Sequence, residues 1–352
     1  MAHHRGNWYD IIGNNSFLHM TKDYSHTAQL SISDTLVLKG IAIIMLLCHH
    51  CLCTGEGYED IFLFGKPCFQ HVGKFCKLCV AIFVFLSGYG LTVQARAKDG
   101  VPNVLKFYKR RYFKLMTNFW IIWLLFVPIG VFVFNRTFPE VYGEHYIIRA
   151  FIDLTGLCTS SSYNATWWFY GCIILLYALF PLIWKARSYW FLLLPASIVL
   201  SFAVKGIPLA NLLGDYLFIF TCGCIYANSK ISLGGGKMTA IIILIVFCLY
   251  RFVARIPLLW DAAIVVAMVY AYNQVSVPSY ISRPMAFLGK HSFNIFLFHT
   301  FIYSYYFHSL IYWHRNPMVI VATLTIACIL ISICIEQIKK LIRFDLLIKK
   351  II

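Results

Sequence analysis

The sequence predicts an all-α polytopic membrane protein, with about ten transmembrane helices in one bundle and both termini cytoplasmic. Three observations predict it. Of the 352 residues, 60% are hydrophobic and only 12% charged, whereas a soluble globular protein carries about a quarter of its residues as charges. Ten apolar runs, at 36–53, 78–95, 113–134, 167–184, 189–204, 208–227, 238–254, 257–274, 291–311 and 317–337, approach the roughly 17–25 residues a spanning helix needs. The 30 Lys and Arg are unevenly shared among the connections: with the N-terminus inside, cytoplasmic segments hold 20 and external ones 9, the bias that orients membrane helices. Disorder, collagen and a small disulfide scaffold are excluded by the same composition. The net charge of +16 lies between apolar runs and forms no basic-aromatic patch, so the expected partner is the lipid bilayer and not nucleic acid.

Taken in order, residues 1–35 form a polar N-terminal segment ending in Asp34 and Thr35, which suit the cap of the first spanning helix. The segment lacks the basic-then-apolar order of a signal peptide, so no cleavage is expected. Between the second and third runs come Arg96, Lys98, Lys106, Lys109, Arg110, Arg111 and Lys114 against one acid, Asp99; this short basic loop decides the orientation. The longest gap, 135–166, holds about 30 residues, too few for a soluble domain, so 36–337 reads as one membrane domain. Residues 338–352 read as a basic cytoplasmic tail. The expected location is the cell membrane (plasma or inner), crossed many times.

The 13 cysteines are mostly scattered through the runs, where a free thiol behaves as a small apolar group. Cys76-x-x-Cys79 with nearby His71 lacks a second ligand pair, so no metal site is expected; a disulfide among Cys68, Cys76 and Cys79 stays open. Asn135-Arg-Thr and Asn164-Ala-Thr fit the glycosylation triplet on the external side.

Ionisable residues inside a span are costly and usually face a bundle interior or a watery cavity. The first run carries Lys39, His49 and His50. Eleven positions separate Lys39 from His50, about three turns or about 16 Å of rise on one face. A Lys alone snorkels to the interface; two adjacent histidines, one in phase with it, point to function. Histidine suits acid-base work because its ordinary pKa is about 6.5, and in acyl transfer it would take the proton of an attacking hydroxyl. No Gly-x-Ser-x-Gly elbow is present, so a serine triad is not indicated. The second run carries Phe83-Val-Phe-Leu-Ser87-Gly88-Tyr89-Gly90, whose small residues close helix packing alone would explain. His299 in the ninth run is either a satisfied core histidine or a site residue. Arg110, Arg111 and Lys114 stand where a helix enters the membrane, able to hold phosphates of a cytosolic ligand as well as to set topology.

These pieces, in this order, resemble the acyltransferase 3 family of multi-spanning membrane acyltransferases. The family opens with a basic residue, a Gly, and a His eleven positions after the basic residue, matched by Lys39, Gly40 and His50, with Lys for the commoner Arg. Its aromatic-rich Ser-Gly-aromatic motif is matched by Phe83, Phe85, Ser87, Gly88 and Tyr89. Arg110, Arg111 and Lys114 fit the start of its next helix, although Thr117 stands where Pro is usual. Trp168, Tyr177 and Pro181 fit the fourth helix, with Ile173 where many members carry an acid. Gly289, Ser292 and His299 fit the last motif. The resemblance runs from about 36 to 337 and implies a ten-helix bundle. It also implies O-acylation, usually O-acetylation, of a cell-surface or lipid-linked glycan with acetyl-CoA as co-substrate and no permanently bound cofactor.

On that resemblance His50, with His49 as second candidate, is the expected base or acyl acceptor. Lys39 favours the anionic donor or keeps His50 neutral. Arg110, Arg111 and Lys114 hold the CoA phosphates, while Ser87, Tyr89 and His299 support. The alternative from another class is a glycan or lipid-linked sugar transporter or flippase using the intramembrane His and Lys as a proton relay, against which no inverted repeat is visible.

Overall fold

The computed structural model describes residues 30–207, 211–228, 237–253, 258–342 and 344. A helix lies at each predicted apolar run. Among the described residues five helical stretches are long and apolar enough to cross a membrane: Ile32–Leu52, Cys68–Arg96, Val104–Val133, Ala165–Lys185 and Pro317–Leu341. The tails 1–29 and 345–352, which take in most of the polar N-terminal segment and the basic C-terminal one, lie outside the described residues.

Helix α1 (Ile32–Leu52) is capped by Ser31. The Asp34 N–H donates to Ser31 Oγ at 3.1 Å and the Ser31 N–H donates to the Asp34 carboxylate at 2.8 Å, two end donors satisfied reciprocally. Asp34 is therefore the third helical residue and not the cap itself. At the other end the Cys51 and Leu52 carbonyls accept from the hydroxyls of Tyr312 (3.1 Å) and Tyr58 (2.7 Å). A two-residue hairpin, β1 (Phe62–Leu63) and β2 (Lys66–Pro67), and the short α2 (Cys68–Phe75) lead into α3 (Cys79–Arg96). No disulfide joins cysteines among the described residues, so the one considered for Cys68, Cys76 and Cys79 is not formed.

Helix α4 (Val104–Val133) starts at an Asn103 cap, whose side chain accepts the Lys106 N–H at 2.8 Å. It begins nine residues before the expected boundary, so Lys106, Lys109, Arg110, Arg111 and Lys114 stand on helical turns and not in a loop. Thirty residues make about 45 Å, longer than the roughly 30 Å hydrocarbon layer; the basic turns are the part that projects.

The 135–166 gap, expected as an external loop, folds back along α4. It contains α5 (Phe138–Tyr142) and α6 (Tyr146–Leu154). The Trp120 indole donates to the Leu154 carbonyl (2.9 Å) and the Tyr112 hydroxyl to the Thr155 carbonyl (3.0 Å). Tyr112 stands 21 residues, about 31 Å of helical rise, from the Val133 end. The segment turns at Gly156, whose φ is +81°, and returns to Tyr163. Irregular backbone at such depth must be satisfied by protein, and Asp153 does this: it accepts from the Ser162 hydroxyl (2.6 Å), the Tyr163 N–H (2.8 Å) and the Tyr142 hydroxyl. Asp153→Ala leaves the Ser162 and Tyr142 hydroxyls without their acceptor, each worth about 1–3 kcal/mol when buried, while the Tyr163 N–H keeps only the Tyr142 oxygen at 3.1 Å. The expected result is a lower thermal midpoint in detergent than Asp153→Asn gives. Asn164 is fully buried, donating to the Leu297 carbonyl at 3.3 Å, so its triplet carries no glycan; Asn135 is exposed.

The remaining long helices are α7 (Trp168–Lys185), α8 (Trp190–Ala203), α9 (Asn211–Asn228), α10 (Lys237–Val253), α11 (Leu258–Gln274), α12 (Ser279–Thr300) and, after the short α13 (His308–Tyr312), α14 (Pro317–Leu341). Helix α12 starts twelve residues before the expected 291 and passes without interruption into a π-helical turn, Phe301–Tyr306. Two crossings organise the bundle. At α1/α12 a Cβ on Gly40 would lie 2.0 Å from the Met285 carbonyl oxygen and one on Gly289 1.9 Å from that of Leu36; at α3/α9 a Cβ on Gly88 would lie 2.3 Å from the Phe220 carbonyl oxygen and one on Gly223 2.2 Å from that of Phe85. Small residues allow this approach, and the Gly88 of the aromatic-rich motif serves it.

Candidate functional site

Helix α1 distributes its polar residues to two levels, and the crossing at Gly40 brings α12 against both. At the first level lies a cavity of about 360 Å³ walled by α1, α3, α4, α7 and α12. Its charged side chains are Lys39, Arg111 and Lys114, joined by Ser87, Gln94, Asn118, Tyr177 and Ser292. No carboxylate is among them, so the cavity favours an anion. Arg111 donates to Gln94 Oε1 at 2.5 Å and its guanidinium lies 5.6 Å from the Phe107 ring, which hold its planar fork in place. The rest of the wall is apolar, Leu86, Leu91, Leu115 and Phe293 among it, and includes Ile173. At Ile173 this cavity therefore has an aliphatic wall.

One part of the wall was not legible as a site. Lys339, buried on α14, donates to Asn118 Oδ1 (2.6 Å), Asn294 Oδ1 (2.9 Å) and Glu336 Oε1 (2.9 Å). Asn294 also donates to Glu336 (2.7 Å), and Ser332 lies 2.8 Å from His291 Nδ1. A buried ammonium with all three protons placed is satisfied, and this network fixes Asn118 on the cavity wall. Nothing in the sequence spacing ties residue 118 to 339.

Phe83, Phe169 and Phe296 close the inner end of the cavity, with ring centroids 6.4 Å (83–169) and 5.0 Å (169–296) apart. Beyond them is the second level. The Phe296 ring lies 6.3 Å from that of His299, and His299 lies 4.9 Å from His50. His50 is 5.0 Å from His49 and 5.6 Å from Tyr303, whose hydroxyl stands 3.2 Å from His50 Nδ1. His299 is fully buried, and its Nδ1 faces the Ile295 and Phe296 carbonyls at 3.0 and 2.9 Å. Carbonyls only accept, so that nitrogen carries the proton and Nε2 holds the lone pair. The same reasoning applies to His49, whose Nδ1 faces the Gly73 carbonyl at 2.8 Å.

Most of the expected residues are thus brought together, in two groups: Lys39, Arg111, Lys114 and Ser87 around the cavity, and His50, His49 and His299 beyond the aromatic floor. Two are not. Arg110 is exposed and does not line the cavity, because one residue turns it about 100° from Arg111. Tyr89 is buried elsewhere: its hydroxyl accepts the Leu30 N–H (2.8 Å) and donates to the Leu30 carbonyl (3.0 Å), so it anchors the approach to α1. The neighbours of His50 are two of the expected residues, His49 and His299, and one that was not expected, Tyr303, while Lys39 stands three turns away on the cavity. Tyr303 was missed, and only the Tyr-rich run after His299 could have drawn attention to it.

A helical membrane protein with an anion-favouring cavity and a histidine cluster at its inner end is the class that fold and site define. A family model described as an acyltransferase domain matches residues 36–337. The chain belongs to the acyltransferase 3 family, and is a membrane acyltransferase; membership gives the transporter reading no support. No curated protein and no solved structure matches it.

Proposed function

We propose that the protein is an O-acyltransferase that moves an acetyl or short acyl group from acyl-CoA to a hydroxyl of a cell-surface or lipid-linked glycan. The observation that carries this reading is the order of the two levels: a cavity with three cations and no carboxylate, ending at aromatic rings with the His50–His299 pair directly behind them. Arg111, Lys114 and Lys39 meet the phosphates of the donor, and the pantetheine arm follows the apolar wall toward Phe296. Displacement of that ring brings the thioester to His50, which takes the proton of the acceptor hydroxyl. In this reading residues 36–337 form one domain crossing the cell membrane ten times, between a polar N-terminal segment and a basic tail, both cytoplasmic.

The test is acyl-CoA chemistry and its product together. Membranes holding the protein should release free thiol from acetyl-CoA, and ester-linked acetate should be found on surface glycan only when the protein is made. Equal ester in cells without it overturns the reading. Within an active preparation, Lys39→Gln or Arg111→Gln removes one charge-assisted contact worth about 1.5–3 kcal/mol. The KM for acetyl-CoA should rise by about 10- to 100-fold, with a smaller change in kcat. Arg110→Gln should leave KM near the wild-type value.

A further inference from the structure

The π-helical turn Phe301–Tyr306 continues α12 from two residues beyond His299. Its widened ladder, seen in the Phe307 N–H donating to the Ile302 carbonyl five residues back at 3.2 Å, is a feature that concentrates at functional sites. The turn carries three tyrosines, and their hydroxyls go to three different elements. Tyr306 donates to the Phe126 carbonyl on α4 (2.8 Å), Tyr305 accepts the Ala165 N–H (3.1 Å), and Tyr303 meets His50 Nδ1 (3.2 Å). The first two contacts are ones packing would supply. The third joins a hydroxyl to the histidine at the centre of the cluster.

His50 differs from its neighbours in what holds its ring. His49 and His299 each put Nδ1 on a backbone carbonyl, which fixes their tautomer. His50 puts Nδ1 on a hydroxyl, which can accept or donate, so the direction of the Tyr303 contact sets which nitrogen of His50 is basic. We propose that Tyr303 is a positioning residue for the acyl transfer: the His50 Nδ1–H donates to the Tyr303 oxygen, leaving the Nε2 lone pair for the acceptor hydroxyl. This rests on the acyl-transfer reading above. In the step, the acceptor oxygen bonds to the thioester carbonyl carbon as its proton passes to Nε2. The C–S bond breaks, and the CoA thiolate takes that proton back from the imidazolium. The Tyr303 oxygen holds the ring through the whole cycle and faces the N–H that becomes most positive when the ring is charged. Groups that orient a ligating histidine in this way are worth about 10- to 100-fold.

Tyr303→Phe keeps the ring and removes the oxygen. The expected result is a kcat for thiol release from acetyl-CoA lower by about 10- to 100-fold, with KM for acetyl-CoA and the thermal midpoint unchanged. Tyr306→Phe, in the same turn but bonded to α4, should keep kcat near wild type. A Tyr303→Phe protein with wild-type kcat overturns the inference, as does an equal fall in Tyr306→Phe, which would make the effect one of packing. If Tyr303→Phe is not recovered folded, Tyr303→Gln is compared with Tyr303→Leu: the amide oxygen accepts from Nδ1 and should retain the higher kcat, and equal values overturn the inference. Wild-type protein that releases no thiol refutes the acyl-transfer reading itself, a result distinct from an active wild type beside an equally active Tyr303→Phe.

Discussion

His50→Ala is expected to lower kcat for thiol release from acetyl-CoA by about 10²- to 10⁴-fold, the range that general acid-base catalysis by a side chain contributes. KM for the donor should hardly move. In the proposed reading the phosphates are met at Lys39, Arg111 and Lys114 on the cavity, with Lys39 about 16 Å of helical rise from His50, so the donor would keep its anchor when the imidazole is gone. His49→Ala is the informative companion. Its ring lies 5.0 Å from His50, but its Nδ1 is committed to the Gly73 carbonyl, which ties α1 to the end of α2. Losing that bond should reduce stability more than kcat. The opposite pattern, with His50→Ala active and His49→Ala inactive in folded protein, would exchange the two roles. The measurement is initial-rate kinetics on purified protein of each variant, with the thermal midpoint recorded alongside.

Gly289→Ala should cost nearly as much without touching a reacting group. Its Cβ would lie 1.9 Å from the Leu36 carbonyl oxygen and 2.8 Å from the carbonyl carbon. Both are backbone atoms that no rotamer change moves. Restoring an ordinary contact of about 3.4 Å requires α1 and α12 to part by roughly 1.5 Å. His50 rides on α1, while His299 and Tyr303 ride on α12 and its π turn, so the parting opens the histidine cluster directly. A displacement of about 1 Å at a catalytic geometry is worth about 10²-fold. The expected outcome is folded protein with kcat reduced on that scale and a lower thermal midpoint; wild-type kcat would show that the crossing does not set the cluster. Gly90→Ala is the folding control, because nothing lies within 4 Å of where its Cβ would be; its midpoint should match the wild type.

Much of the site was legible because a charge or an imidazole in an apolar run has no packing reason to be there. Lys39, His50 and His299 stand out on that ground alone, and the structure places all three at the α1/α12 crossing or one level from it. Other residues misled for a definable reason. Composition locates where a chain leaves the hydrocarbon, but a helix does not stop there: its backbone bonds are internal, so α4 and α12 continue into polar surroundings and their first turns read as loop. Arg110 and Arg111 are equivalent in a sequence and about 100° apart on a helix, which separates a solvent-facing cation from a cavity-facing one. Tyr89 looked like part of a motif at the site and instead anchors Leu30, because the motif's Gly88 commits that face of α3 to α9.

The sequence by itself determined that this is a helical membrane protein of the acyltransferase 3 family, and which imidazoles and cations were out of place in it. Those conclusions depend on hydropathy, spacing and charge, which are properties of single segments. Only the tertiary structure decided that Lys39 lines the cavity, that Lys339 holds Asn118, that 135–166 folds back along α4, and that Tyr303 meets His50. Each of these pairs residues from different helices, and no periodicity within one helix encodes which neighbour a side chain will face. That choice is made where Gly40 and Gly289 let two backbones touch.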